Sequence, residues 1–122
     1  MNIEEFWKDV LRQDEKKIRM YFDDHAIVNW HCTNEQFTVD EFIRANCDYP
    51  GEWDGKIERK IIMDDLIITV THVYAKDKSL SCHVTSFIKI KNDKIIEMDE
   101  YWGDDGMAPK WRLDKHIGKA IK

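Results

Sequence analysis

The chain has 122 residues and a formal net charge of −5, and this length favours one domain over residues 1–122. Hydrophobic residues make up 43% of it and charged residues 35%, a composition typical of a soluble globular domain. The acidic balance argues against a surface that follows nucleic-acid phosphates, so no nucleic-acid partner is expected. Five Trp, five Phe and four Tyr are a heavy aromatic load for this length.

Neither the N-terminal residues nor the spacing of the cysteines indicates a location outside the cytoplasm. The opening residues, MNIEEFW, lack the basic and apolar regions of a signal peptide, and no apolar run approaches the roughly 18 residues that span a bilayer. Cys32, Cys47 and Cys82 are an odd number without metal-type spacing. We therefore expect reduced thiols in a cytoplasmic protein that has no membrane partner.

Helical patterns come first in the chain. The first helix has apolar residues at i, i+3, i+4, i+7 and i+8, namely Ile3, Phe6, Trp7, Val10 and Leu11. Asn2 is its predicted N-cap, Asp14 caps a short second helix, and Thr38 with Glu41 forms a capping box for a third. Residues 26–31, between the second and third helices, are predicted to form a short strand.

Strand-like segments follow. Four segments are rich in Ile, Val, Thr and aromatic residues, namely 55–63, 66–75, 79–91 and 94–102. Turn-like pairs at Asp77-Lys78 and Asn92-Asp93 predict an antiparallel meander. Early helices and late strands indicate the α+β class. The tail after residue 103 is expected to wrap back over the body, with Trp111 closing it.

This order of elements resembles the nuclear-transport-factor-2-like superfamily, which includes SnoaL-like polyketide cyclases and ketosteroid isomerases. Residues 22–28 (FDDHAIV), entering the first strand, and residues 97–103 (EMDEYWG), leaving the last, carry the resemblance. It covers nearly the whole chain. It implies a cone-shaped, curved antiparallel sheet wrapped around three N-terminal helices, an internal pocket, and homodimers packed through the outer face of the sheet.

The two turns predict which strand residues stand opposite one another. A two-residue turn at Asp77-Lys78 gives the pairs His72 with His83, Val70 with Thr85, and Ile68 with Phe87. A two-residue turn at Asn92-Asp93 gives the pairs Phe87 with Met98, Thr85 with Glu100, and His83 with Trp102. Together these pairs form three rows of side chains across β-strand segments 66–75, 79–91 and 94–102, and the resemblance places the rows on the pocket side. A slip of one residue in either turn reverses a strand's faces.

The predicted pocket has an apolar floor and a few polar groups, as ligand sites commonly do, and we expect it to bind a small apolar or aromatic ligand. Its predicted lining residues are Phe6, Val10, Tyr21, Val28, Trp30, Trp53, Val70, Thr85, Phe87, Met98 and Trp102. Trp30 and Trp102 are expected to be stacking walls, although simple core packing explains them equally well.

Glu100 is the main catalytic candidate, with His72 and His83 beside it in the predicted rows. A carboxyl group in a dry aromatic cavity has a raised pKa, which suits proton transfer, and the histidines would orient the substrate or complete a proton shuttle. The same three side chains suit a two-His-one-carboxylate metal site. Their spacing is not a recognised metal motif, so we predict no metal and no cofactor.

Three matched positions depart from the ketosteroid isomerase pattern that the resemblance implies. Trp30 stands at the position of the carboxylate base, Thr85 at that of the carboxylic acid, and Phe6 at that of the helix tyrosine. We therefore expect no steroid isomerisation by that mechanism.

Two classes of function stay open. One is a cofactor-free isomerase, cyclase or dehydratase that moves a proton on an apolar or aromatic carbonyl compound. The other is a non-catalytic ligand-binding or dimerisation module of the same fold. A homodimer fits both, because Val84, Ile88 and Tyr101 are predicted on the outer face of the sheet.

Overall fold

The computed structural model describes all residues 1–122. The elements in chain order are α1 (Ile3–Leu11), α2 (Glu15–Met20), β1 (Phe22–Trp30), β2 (Glu35–Thr38), α3 (Val39–Cys47), β3 (Trp53–Ile62), β4 (Leu66–Ala75), β5 (Ser81–Lys91), β6 (Lys94–Asp104) and α4 (Lys110–Asp114). The α+β class and the three N-terminal helices are confirmed. Strand β2 and helix α4 were not predicted. None of the helices is long and apolar enough to cross a membrane.

The predicted helix caps are all present. The Asn2 side chain accepts a hydrogen bond from the backbone N–H of Glu5, and Asp14 caps α2 in the same way. The Thr38 hydroxyl accepts from the backbone N–H of Glu41 at 3.2 Å, and the Glu41 carboxylate accepts from the backbone N–H of Thr38 at 3.0 Å. These bonds satisfy backbone donors that have no partner inside a helix, which fixes where each helix begins.

One six-stranded sheet carries the fold, in the order β2-β1-β6-β5-β4-β3. The meander from β3 to β6 is antiparallel as predicted, and β2 is antiparallel to β1. Strand β1 is parallel to β6, so the sheet is mixed. Tight turns force consecutive strands to be antiparallel. Because β1 and β6 are joined through most of the chain, no turn sets their relative direction.

The core lies between the helices and the inner face of the sheet. Phe6 of α1 and Phe42 of α3 are completely buried against inward residues of the strands, among them Val28 and Met98. The ring of Phe6 meets Tyr21 edge-on at 5.2 Å between centroids. Burying one such side chain contributes about 1.5–3 kcal/mol to stability.

The predicted register is confirmed between β4 and β5 but is wrong between β5 and β6. His72 pairs with His83, Val70 with Thr85, and Ile68 with Phe87, as expected. On the other side of β5, Thr85 stands opposite Tyr101, Ser86 opposite Glu100, and Ile88 opposite Met98. The predicted partners of Thr85, Phe87 and His83 are therefore each displaced by one residue.

A bulge explains the displacement. The two-residue turn itself is as predicted: Lys91 pairs with Lys94 and Ile90 with Ile95, and Asn92 and Asp93 have the positive φ angles of a type I′ turn. The next pair is Lys89 with Glu97, so β6 carries one extra residue. A bulge of this kind shifts every later pair by one position.

The bulge changes which side chains face inward. Glu100, Met98 and Trp102 of β6 face the interior as predicted. Six residues predicted to face the pocket lie on the outer face instead: Ile68, Val70, His72, His83, Thr85 and Phe87. The inner face carries Val84, Ser86 and Ile88, all fully buried, so the expected outer positions of Val84 and Ile88 are also wrong.

The tail does not cover the body. Helix α4 has no buried residue, and Trp111 is 57% exposed. The expectation that Trp111 closes the cone is wrong, because α1 and α3 already cover the inner face of the sheet.

Candidate functional site

Glu100 is the central polar group of the interior. Its side chain is 1% exposed and no cation pairs with it. The Ser86 hydroxyl donates a hydrogen bond of 2.6 Å to Oε2 of Glu100, and the indole N–H of Trp30 donates one of 3.1 Å to Oε1. Strands β5, β1 and β6 thus each contribute one member of this cluster.

The environment shifts the acidity of this group. Burial raises the pKa of Glu100 from its ordinary value of 4.5 to about 7, against the opposing effect of the hydrogen bonds from Ser86 and Trp30 and of the nearby indole N–H of Trp102. Near neutral pH the carboxylate and the carboxylic acid are therefore both well populated. This is the condition under which one group both accepts and donates a proton efficiently.

Trp102 supplies a hydrogen-bond donor that the protein leaves unused. Its indole N–H lies near Glu100 and favours the charged form of that carboxyl group, yet it makes no hydrogen bond of normal geometry and is buried. A buried donor without an acceptor costs about 1–3 kcal/mol. The rings of Trp30 and Trp102 meet edge-on at 6.1 Å between centroids, and both are half-buried.

The inward members of the predicted pocket pack against one another. Phe6, Val10, Val28 and Met98 are buried in the core, while Tyr21, Trp30, Trp53 and Trp102 are half-buried at its margin. Trp30 contacts three further aromatic rings, those of Phe37, Phe42 and Trp102. Side chains thus fill much of the interior around Glu100.

A cleft of about 370 Å³ lies between α1 and β3. Trp7, Leu11, Gly55 and Thr71 contribute to its wall. The hydroxyl of Thr71 is buried without a hydrogen-bond partner. Glu100 does not line this cleft, so the main catalytic candidate and the cleft are separate features.

A second buried carboxylate was missed by the sequence reasoning. Asp9 of α1 is 4% exposed, and the Tyr21 hydroxyl donates a hydrogen bond of 2.7 Å to its Oδ2. Burial and this bond raise the pKa of Tyr21 to about 12. Asp9 lies between the apolar positions 6, 7 and 10 of the helix, so its inward orientation was detectable from the helical period.

His72 and His83 lie side by side, as predicted, but on the opposite face of the sheet from Glu100. Their rings stack with 4.7 Å between centroids and 7° between planes. Nδ1 of His83 lies 2.5 Å from Oδ1 of Asp105, and Nε2 lies 3.1 Å from Oε1 of Glu58. The predicted grouping of both histidines with Glu100 is therefore wrong.

The outer cluster consists of Glu58, His72, Ser81, His83 and Asp105. The hydrogen bond to Asp105 raises the pKa of His83 above its ordinary value of 6.5, with a smaller contribution from Glu58 and an opposing one from burial. Nε2 of His72 is 2.8 Å from the Ser81 hydroxyl, which donates to Asp105. Glu58 is the extra residue of a bulge in β3, between the pairs Ile57 with Thr71 and Arg59 with Val70, and it was not predicted because no local sequence signal marks that bulge.

No protein-family model matches the sequence. No curated protein matches it either.

Solved structures do match. An NTF-2 like protein of unknown function from Burkholderia xenovorans aligns with a TM-score of 0.78 and 19% identity, over 98% of this chain and 92% of that one. A protein proposed to be a ketosteroid isomerase from Kribbella flavida aligns with a TM-score of 0.81 and 12% identity, over 98% and 87%. A protein proposed to be a SnoaL-like polyketide cyclase from Shewanella putrefaciens aligns with a TM-score of 0.67 and 15% identity, over 80% and 75%.

These likenesses show the fold. The chain has the nuclear-transport-factor-2-like fold, as its sequence resemblance indicated. At sequence identities of 12–19% these matches show the fold alone. The activity is therefore inferred from the residues of this chain.

Proposed function

We propose that this protein binds a small apolar or aromatic carbonyl compound and that Glu100 transfers a proton to or from it. The observation that carries the proposal is a fully buried carboxyl group with no cationic partner and a pKa of about 7. A buried carboxylate that serves only structure is normally paired with a cation, which lowers its pKa. Glu100 instead titrates where a general acid–base does.

The neighbouring donors fit a carbonyl substrate. In the proposed step, the Glu100 carboxylate removes a proton from the carbon next to the carbonyl group, and the substrate becomes an enolate. The N–H of Trp102, which is buried without a hydrogen-bond partner in normal geometry, donates a hydrogen bond to the developing oxyanion. The Glu100 carboxylic acid then returns the proton to a carbon of the enolate, so the step needs no oxidant or cofactor.

The indoles supply the apolar wall and the route to the carboxyl group. Trp30 and Trp102 are half-buried while Glu100 is not exposed, so a ligand reaches Glu100 by displacing one of these rings. Two of the similar structures are proposed to be an isomerase and a polyketide cyclase, and these names support a carbonyl compound as the substrate class.

The test begins with ligand discovery by thermal shift against aromatic ketones and polyketide-like compounds, because a ligand that binds the native state raises the melting temperature. Each compound that binds is then incubated with the protein in deuterium oxide, and exchange at the carbon next to the carbonyl group is followed by NMR. We expect catalysed exchange that Glu100→Gln reduces by roughly 10²–10⁴-fold. Glu97→Gln makes the same chemical change at a partly exposed position of the same strand and should leave the exchange rate unchanged.

The second candidate function is a non-catalytic binding or dimerisation module. The dense aromatic packing around Glu100 favours it, because a filled interior leaves little space for a substrate. Binding without catalysed exchange would replace the first proposal with this one, and exchange that Glu100→Gln leaves intact would exclude Glu100 as the catalytic group.

We also propose that the protein forms a homodimer through the outer face of the sheet. Phe87 and Tyr101 lie on this face at 37% and 45% exposure, with their rings edge-on to each other. Light scattering should report twice the mass of one chain. Phe87→Lys should produce a monomer, since an interface core excludes an unpaired charge. A monomeric wild-type protein would contradict the dimer without affecting the proposal for Glu100.

A further inference from the structure

We propose that the outer cluster is a binding site for a divalent transition-metal ion, held by His72, His83 and Glu58. A ring nitrogen from each histidine and a carboxylate oxygen of Glu58 all lie within 4.8 Å of one another. The site lies on the outer face of the sheet, is distinct from Glu100, and does not depend on the function proposed for Glu100.

Distances within the cluster are close to those that coordination requires. Tetrahedral zinc with bonds of about 2.0–2.1 Å holds its ligand atoms about 3.3 Å apart. Nε2 of His83 and Oε1 of Glu58 are already 3.1 Å apart. The side chain of His72 is 30% exposed, and one of its ring nitrogens lies within 4.8 Å of the ligand atoms that His83 and Glu58 offer. The sheet backbone need not move, because His72 and His83 are directly paired across β4 and β5.

Asp105 supplies the supporting contact that metal-binding histidines usually have. It lies 2.5 Å from Nδ1 of His83, so it can accept a hydrogen bond from Nδ1–H while Nε2 faces Glu58. Carboxylate–histidine–metal relays of this kind fix the tautomer and the ring orientation of the ligand. The second oxygen of Asp105 accepts from the Ser81 hydroxyl at 2.6 Å, which holds the supporting carboxylate in place.

The ligand types indicate the class of ion. Two imidazoles and one carboxylate suit zinc, ferrous iron and their neighbours in the first transition row, whereas magnesium and calcium prefer oxygen ligands alone. Three protein ligands leave positions for solvent. The carboxylates of Glu58 and Asp105 offset the charge of the incoming ion, and the only lysine paired with the cluster is Lys122, 3.8 Å from the other oxygen of Glu58.

The experiment titrates chelator-treated full-length protein with ZnCl₂ by calorimetry, and with CoCl₂ by absorption of the ligand-field bands. We expect one ion per chain and a cobalt spectrum of nitrogen and oxygen ligation. His83→Gln and Glu58→Gln should each weaken zinc binding by at least about 10-fold, and Asp105→Asn by roughly 10–100-fold through its effect on His83.

His25→Gln is the matched control, because that histidine is 96% exposed and outside the cluster. It should leave zinc binding unchanged, as should Glu100→Gln, which keeps this test separate from that of the proton-transfer proposal. Absence of saturable 1:1 binding would overturn the site. So would binding that survives His83→Gln or is lost with His25→Gln. Apart from Glu100, the substituted residues lie at exposed or half-exposed positions, and circular dichroism confirms that each variant is folded before titration.

Discussion

Ser86 and Glu100 stand directly opposite each other on β5 and β6, and the Ser86 hydroxyl donates a 2.6 Å hydrogen bond to the Glu100 carboxyl group. Both side chains are within 1% of complete burial. The pairing exists because the bulge in β6 moves Glu100 from opposite Thr85 to opposite Ser86. One extra residue in a strand therefore decides the chemical surroundings of the main catalytic candidate.

The first prediction concerns the dependence of stability on pH. The unfolded chain releases the Glu100 proton near its ordinary pKa of 4.5, whereas the native state keeps it until about pH 7. The native state thus holds more protons over this window, and the free energy of unfolding falls as the pH rises from about 4.5 to 7. The difference of 7 − 4.5, or 2.5 units, corresponds to about 3 kcal/mol.

Urea unfolding of wild-type protein, Glu100→Gln and Glu97→Gln at pH 5 and pH 8 measures this effect. Glu100→Gln should be more stable than the wild type at pH 8 and closer to it at pH 5. Glu97→Gln should follow the wild-type curve. Equal pH dependence in all three proteins would show that Glu100 titrates normally.

The second prediction concerns the Ser86 hydroxyl. Ser86→Ala removes a donor that favours the charged carboxylate, so the pKa of Glu100 should rise further above its ordinary value. The variant should lose roughly 1.5–3 kcal/mol of stability at pH 8, where the charge is left with fewer donors, and less at pH 5. Carbon-13 NMR of the Glu100 carboxyl carbon follows the titration directly. Ser81→Ala, on the same strand but away from Glu100, should leave that titration curve in place; a shift there would point to a nonspecific change.

The third prediction concerns Gly55 on the edge strand β3. A Cβ atom at this position would lie 2.4 Å from the His72 carbonyl oxygen and 3.2 Å from a methyl carbon of Leu11. Gly55→Ala should therefore separate β3 from β4 and cost about 1–3 kcal/mol in the free energy of unfolding. Gly106→Ala is the control, because no atom lies within 4 Å of a Cβ there, and it should change stability by less than about 0.5 kcal/mol. Equal urea midpoints for the two variants would contradict the close approach.

The fourth prediction concerns the Tyr21 hydroxyl. Tyr21→Phe leaves the buried carboxylate of Asp9 without its donor and should cost about 1–3 kcal/mol. In absorbance titrations at 295 nm the wild type should show a tyrosine that ionises at a pKa of about 12, and the variant should lack it. Tyr49→Phe, which removes an exposed hydroxyl, should leave both stability and the late titration step unchanged. A late step that persists in Tyr21→Phe would assign it to another tyrosine.

Local signals predicted much of the fold. Asn2, Asp14 and Thr38 mark the helix starts because a cap is made by residues within three positions of one another. The pairing of β4 with β5 followed from one turn, and the inward orientation of Val28 and Trp30 followed from strand alternation. These features depend on short stretches of chain, so a single sequence contains the information.

The sequence did not predict the features that depend on distant strands. No residue near Ile96 signals the bulge in β6, because a bulge is a feature of the pairing of two strands. It separated Glu100 from His72 and His83, although Glu100 itself was correctly placed inside. The parallel pairing of β1 with β6 joins segments about 70 positions apart, beyond the reach of turn signals.

That parallel pairing has a consequence for synthesis of the chain on the ribosome. Strand β1 ends at Trp30, but the partner on its other side is complete only at Asp104, 104 − 30 = 74 residues later. At about 5–20 residues per second, this is an interval of roughly 4–15 s. Throughout that time β1 has an unpaired backbone edge that other nascent chains can reach. The sheet is complete only after β6 has emerged and paired with that edge.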